Sequence, residues 1–237
     1  QLGKIRINYA EVGNDAPWAS VSDTYLPIAP FTGNAMVTVP ATKNNSALKP
    51  ERTKNIEAGL EMNFLQGRAG FDLAFYKSNT VNQIMPVSVS SATGYSSKYV
   101  NAGEIQNKGV ELRVNGTPVK FAGFQWDITV NWARNRNEVV SLEGDIKNLR
   151  IASLQGGVTI NARVGEPYGT IQGTDYVITN GKKTIRSNGY YARTPNSDVV
   201  IGNVNPDWTG GILNAFSYKN ISLSALIDIQ QGGSIFS

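Results

Sequence analysis

The chain has 237 residues with 24 Gly and 10 Pro, a formal net charge of +4 at pH 7, and neither Cys nor His. That excludes a disulfide framework, thiolate chemistry, and the side chain used most often as general base or transition-metal ligand. The basic residues are scattered, with only Lys182, Lys183 and Arg186 in a tight group, so no nucleic-acid partner is expected.

Seven stretches alternate apolar and polar residues, the period of a strand with one greasy and one hydrated face. Ile5, Ile7 and Tyr9 alternate with Lys4, Arg6 and Asn8. Ile56, Ala58, Leu60, Met62 and Phe64 oppose Asn55, Glu57, Glu61 and Asn63. Ala69, Phe71, Leu73 and Phe75 oppose Asp72 and Tyr76. Val110, Leu112 and Val114 oppose Glu111, Arg113 and Asn115. The clearest stretch runs over 124–132, where Phe124, Trp126, Ile128, Val130 and Trp132 alternate with Gln125, Asp127, Thr129 and Asn131. The segment 208–218 is less regular, because Leu213 and Asn214 fall on the wrong faces. Ile221, Leu223, Ala225, Ile227 and Ile229 then oppose Ser222, Ser224, Asp228 and Gln230.

The gaps between these stretches alternate long and short. Gln66-Gly67, 116–123 and Lys219-Asn220 are short; 13–50, 84–102 and 138–207 are long. Antiparallel strands reverse at every turn, so the short connections gather at one end and the long loops at the other, as in a membrane β-barrel. The stretches run about nine to fifteen residues, near the nine to eleven that a tilted strand needs to cross a bilayer. Trp208 and Tyr218 share a face, and ten residues at a tilt of about 40° cover roughly 25 Å, the height of an apolar band. No run of 18 apolar residues forms a transmembrane helix, and the mean hydropathy of -0.24 suits strands that are half polar. Gln1 lies almost inside a strand and Ser237 just past one, and seven is an odd count, so the chain is expected to be part of a larger barrel.

Within the longest gap, Asn180-Gly181 between β-prone runs predicts a hairpin over 176–185. Pro50 suits a strand start, where no ladder N–H is needed. Glu51 and Arg52 are placed for an ion pair at the loop base. Gly103 and Gly109 suggest a bulge or a close backbone approach.

Four segments carry a family resemblance: LKPERTKNIEAGLEMNFLQGRAGFDLAFYKSNTVNQI (48–84), YVNAGEIQNKGVELRVNGTPV (99–119), FQWDITVNWARNRNEVVSL (124–142) and IGNVNPDWTGGILNAFSYKNISLSALIDIQQGGSIFS (201–237). In that order they resemble the SusC/RagA family of TonB-dependent outer-membrane transporters. The resemblance implies an all-β antiparallel transmembrane barrel of about twenty-two strands. Residues 1–237 would be part of that barrel domain, with the plug domain and terminal strands absent. It also implies residence in the Gram-negative outer membrane and uptake of oligosaccharide or peptide. The expected partners are a SusD-like surface lipoprotein, outer-membrane lipid, and the TonB complex acting through the amino-terminal part that is missing here. No covalent chemistry and no cofactor is expected. The rivals are a soluble or surface β-sandwich that serves as adhesin or carbohydrate-binding module, and a passive porin.

Candidate residues follow from placement. Glu57, Glu61, Asp72, Glu111, Arg113, Asp127 and Asp228, with Lys4 and Arg6, are expected to face a hydrated lumen. Glu57 and Glu61 share a face at about 13 Å, too far for paired-carboxylate hydrolysis. Trp126, Ile128 and Val130 should face lipid. Gln66, 116–123 and Asn220 should be periplasmic, and Thr32, Ser90 and Asn180 extracellular. Tyr95, Tyr99, Tyr190 and Tyr191 lie in the later long gaps and are the candidate ligand or partner contacts, since Tyr offers area with a polar tip at low entropy cost. The alternative is that these four rings pack within the loops.

Overall fold

The computed structural model describes residues 2–236. Seven strands form one antiparallel sheet in chain order. They are β1 (Leu2–Asn14), β2 (Glu51–Phe64), β3 (Ala69–Val81), β4 (Gly103–Phe121), β5 (Phe124–Leu142), β6 (Pro206–Tyr218) and β7 (Ile221–Gly232). Among the described residues β1 and β7 each have one neighbour, so the sheet stays open at both edges.

β4 and β5 are 19 residues long, more than the alternation alone predicts. The reason lies partly in the segment 116–123, which is not a loop. Pairing continues through Ile128↔Gly116, Trp126↔Val119 and Phe124↔Phe121. Thr117 and Pro118 together oppose Asp127, which makes a bulge, a place where a strand tolerates a residue without an N–H. The turn itself is Ala122-Gly123, with φ of 47° and 84°, the left-handed pair that a two-residue hairpin needs.

The register sorts side chains cleanly. One row on the apolar face reads Ile5, Leu60, Leu73, Leu112, Trp132, Gly210, Ile229 across all seven strands. No second layer covers this face among the described residues: Ile5 is 78% exposed, Ile7 79% and Phe121 77%. A sandwich would hide these side chains against another sheet. The band is also oblique. Toward the loops it ends at Ile56 on β2, one pair earlier on β3 and β4 (Phe75, Val110), and two pairs earlier on β5 (Trp132). Toward the turns it ends at Phe64 and Ala69 on β2 and β3, but reaches Phe121, Phe124, Tyr218 and Ile221 on the later strands. Both edges step the same way, as they do when strands are tilted to the plane they cross.

The irregular segment in β6 has a local cause. Asn214 does stand in an apolar row, between Ile128 and Ala225, and its Oδ1 accepts a hydrogen bond from Trp126 Nε1 at 3.2 Å. Leu213 stands on the polar face beside Leu226.

The buried core lies at the loop end rather than in the sheet. Met85, Ala102, Val139, Leu142, Leu149 and Ala162 pack together, with Val87, Val100, Ile151, Val164 and Tyr168 against them. They come from a small sheet over 84–101, from Ala102 just before β4, from the loop end of β5, and from in and around a four-stranded sheet of Asn148–Ser153, Thr159–Arg163, Thr170–Gly173 and Val199–Asn203. The first long loop adds a separate exposed hairpin, Leu26–Phe31 with Asn34–Thr38.

Candidate functional site

Two regions collect the polar side chains: the polar face of the sheet and the loop layer. On the polar face one row runs Lys4, Glu61, Asp72, Arg113, Asn131, Gly211, Asp228. Arg6 and Glu111 belong to the next row toward the loops, joined through Gly59 and Ala74, and Glu57 to the row beyond. Arg6, Glu57, Asp72, Glu111, Arg113 and Asp228 thus border one concavity of about 610 Å3. Glu61 and Asp127 border a neighbouring one of about 420 Å3, which shares Asp72 and Arg113.

The charges are held in fixed geometry. The Arg6 guanidinium donates to both oxygens of Asp72, at 3.1 and 2.7 Å, and lies 3.8 Å from Glu61. To reach Asp72 on β3 it must cross β2, and it does so over Gly59. A Cβ added at Gly59 would lie 2.7 Å from Arg6 Nη2. The same device recurs one strand on. Tyr76 lies across Gly109, where a Cβ would be 2.5 Å from its ring, and its hydroxyl reaches Asn135 Oδ1 at 3.1 Å. Of the bulge or close approach that a glycine inside a strand suggests, Gly103 and Gly109 show the close approach, Gly103 against the Ser141 backbone. At the turn end the bulge aims Thr117 Oγ1 at Asp127, donating at 2.6 Å, and Gln125 Nε2 donates to the other oxygen at 2.7 Å. Sequence reasoning placed the charges but missed Gly59. The available signal was parity: Gly59, Gly70, Gly109 and Gly211 all occupy polar-face positions.

At the base of the loops an ion pair forms, with a different acid from the adjacent one. Arg52 Nε meets Glu11 Oε1 at 3.1 Å. Glu51 instead accepts from the Ile84 backbone N–H at 2.6 Å and from Asn14 Nδ2 at 2.9 Å, tying the second long loop to the end of β1.

In the loop layer the predicted hairpin is present as Ile178–Thr179 with Lys182–Lys183, turning at Asn180-Gly181. It brings Tyr176, Asn188 and Arg193, which the sequence did not single out, beside the candidates Tyr190 and Tyr191. Tyr176 and Tyr191 meet edge to face at 5.4 Å, and Lys183 Nζ sits 4.2 Å from the Tyr176 ring centre. Tyr176, Arg186, Asn188, Tyr190, Tyr191 and Arg193 border a concavity of about 380 Å3. Tyr190 is 73% exposed, Tyr191 half-exposed. Tyr95 and Tyr99 are half-buried: Lys43 Nζ lies 5.3 Å from the Tyr95 ring, and Tyr99 sits in the 84–101 hairpin opposite Pro86. The structure does not gather the four Tyr into one site.

What the polar face offers is a wall of fixed charges and amides with water-sized space in front of it.

Comparison with known proteins gives consistent results. The family described as TonB dependent receptor-like, beta-barrel matches residues 2–228. TonB-dependent receptor P26 of Formosa agariphila is 27% identical over 98% of this chain and 26% of its own length. TonB-dependent receptor SusC of Bacteroides thetaiotaomicron is 26% identical over 76% of this chain and 19% of its own length. The chain spans about a quarter of the length of curated relatives that it matches almost end to end. Among solved structures, the RagAB peptide importer in a closed-closed state superposes with a TM-score of 0.77 at 20% identity, over 98% of this chain and 27% of that one. A second RagAB peptide transporter structure gives 0.75.

Proposed function

Because the chain belongs to the TonB dependent receptor-like β-barrel family of the Gram-negative outer membrane, we propose that its sheet is an arc of the barrel wall of a SusC/RagA-type nutrient transporter. The observation that carries this reading is the oblique apolar band, uncovered on one face, opposite a face of fixed charges. In this arrangement the apolar face meets lipid and the polar face lines the lumen. Glu57, Glu61, Asp72, Glu111, Arg113, Asp127 and Asp228 then form a hydrated wall for the plug and for passing solute. The short turns at Gln66, Ala122 and Asn220 are periplasmic, and the packed loop layer is extracellular.

The transporter takes up oligosaccharide or peptide by active transport, without covalent chemistry. A SusD-like lipoprotein caps the mouth over the loop layer, and force arrives from the TonB complex through parts of the protein outside residues 1–237. RagAB is itself described as a peptide importer, and SusC is a TonB-dependent receptor; these support the type of transport rather than a particular cargo. The test is uptake of labelled oligosaccharide and peptide pools by cells that carry the full-length protein. Uptake should stop when TonB is deleted or the proton-motive force is collapsed. Uptake that continues unchanged under both treatments identifies a passive porin and overturns the proposal.

A further inference from the structure

The loop-side edge of the apolar band is lined by cations, of which the sheet itself pairs only Arg136 with a carboxylate among the described residues. Lys77 on β3 stands directly opposite Lys108 on β4, and Lys108 directly opposite Arg136 on β5. All three are on the apolar face and exposed. Lys54 lies one pair further toward the loops on β2, and Arg134 one pair nearer the turns on β5. The cations therefore follow the same oblique line as the edge of the band. Like charges directly opposite each other on a sheet destabilise it. Neighbouring acids relieve little of this. Arg136 meets Asp207 at 3.2 Å, Glu11 stands directly opposite Lys54 but is taken by Arg52, and Glu104 accepts from Asn79. Glu138 lies one pair beyond, opposite Gln106. Among the described residues Lys54, Lys77, Lys108 and Arg134 have no carboxylate within ion-pair distance.

We propose that this row binds the phosphate groups of an acidic membrane lipid in the outer leaflet. The proposal rests on the reading of the apolar face as lipid-facing. Two features select a lipid over a soluble anion. The residues immediately on the turn side are Phe75, Val110, Leu112 and Trp132, a surface for acyl chains. The cations also sit at the depth where a bilayer places its headgroups, which Lys and Arg stems reach by extending along the apolar surface. Arg134, and the part of the Arg136 fork that Asp207 does not take, supply donors that match phosphate oxygens, and the three Lys supply point charges.

The experiment uses the full-length transporter in neutral detergent and lipid A, a phosphorylated glycolipid, as the probe, with retained lipid counted by native mass spectrometry. Lys77→Gln/Lys108→Gln/Arg134→Gln should weaken retention about a hundredfold, from three cations each contributing near a headgroup layer. Lys120→Gln/Lys182→Gln/Lys219→Gln removes the same charge elsewhere and should retain lipid A like wild type. Lys77→Arg/Lys108→Arg keeps the charges and should also retain it, which separates lost binding from misfolding. Equal retention by the triple row variant and wild type overturns the proposal, as does no retention by wild type. Displacement by an equal concentration of inorganic phosphate shows a soluble-anion site and overturns the lipid assignment. Insertion into phosphatidylcholine vesicles is scored separately: a wild-type protein that fails to insert defeats the barrel reading, whereas one that inserts but ignores lipid A defeats only this proposal.

Discussion

In the core of the loop layer, around Met85, Val139 and Leu149, the apolar side chains turn inward. Val139 is fully buried and Leu142, Leu149 and Ala162 nearly so, and polar neighbours are drawn in with partners: Asn148 Nδ2 donates to Gln172 Oε1 at 2.9 Å and Asn161 Nδ2 to Asn148 Oδ1 at 3.0 Å. In the sheet the arrangement is reversed. Ile5, Ile7, Phe121 and Leu223 project from the protein largely exposed, while on the other face Arg6 is tied to Asp72, and Asp127 to Thr117 and Gln125. The loop layer has the construction of a protein surrounded by water, which gains stability by hiding apolar area from it. The sheet has the construction of a wall whose apolar side is stable only against hydrocarbon. Val139 marks the border: it belongs to β5, yet it is the most buried apolar residue of the loop core.

The comparison breaks most completely if the two ends of the wall lie on the same side of the membrane. In a full-length protein otherwise free of Cys, Asn180→Cys should be labelled on intact cells by an impermeant maleimide, and Gln66→Cys should react only after the outer membrane is opened. Labelling of Gln66→Cys on intact cells, with none at Asn180→Cys, reverses the topology.

The next effect concerns stability in the two media. Leu149→Ala deletes buried methyl groups from the loop core and should cost about 2–5 kcal/mol of loop-layer stability. It should show as faster proteolysis of 143–205 with the barrel still inserted. Ile128→Arg places a charge at the middle of the apolar band on β5 and should cost about 2–4 kcal/mol in folding into vesicles. Thr129→Arg, one residue along on the polar face, should cost far less. Equal costs at 128 and 129 mean that the two faces do not meet different media.

Much of the wall was legible because each strand repeats its period for five or more residues, so one misplaced side chain does not erase the pattern. Asn214 is such a case; its explanation, the Trp126 indole, lies on another strand. The segment 116–123 was misread because Gly-Thr-Pro signals a turn locally, and only pairing with β5 shows Pro118 to be in a bulge. The loop core was not legible at all. Its strands run four to six residues, too short for a period to emerge, and Val139, Leu149 and Ala162 meet only in three dimensions. The Arg6–Asp72 pair is of the same kind: its partners are 66 positions apart, and a register is needed to see that Gly59 stands between them.

That gap supplies a sharper test of the polar face. Gly59→Val adds bulk where Arg6 crosses β2 and should destabilise the folded protein by about 1–3 kcal/mol through overpacking. Arg6→Ala in the same chain should remove most of that cost, because the crowding atom is the far end of the Arg6 side chain. A double-mutant cycle in vesicles measures the coupling. Additive effects at the two positions mean that the guanidinium does not lie over Gly59.

The smallest expected effect separates binding from packing within the loop layer. Tyr190 presents most of its ring to solvent at the edge of the concavity with Arg186 and Arg193. Tyr95 is half-buried against Lys43 in a different part of the layer. If the layer's outer surface carries recognition, Tyr190→Ala should weaken capture of the lipoprotein partner or of cargo by about 1–2 kcal/mol, the range of an ordinary interface aromatic, with unfolding unchanged. Tyr95→Ala should do the opposite, loosening the loops while leaving affinity nearly intact. Tyr191 is the intermediate case, because its ring is already engaged by Tyr176 and Lys183, and its replacement should move both quantities. Affinity by interferometry and loop stability by hydrogen exchange, read on the same three variants, give each ring its place. A Tyr190→Ala protein that binds and transports like wild type moves recognition away from this concavity, to other loops or to parts of the transporter outside this arc.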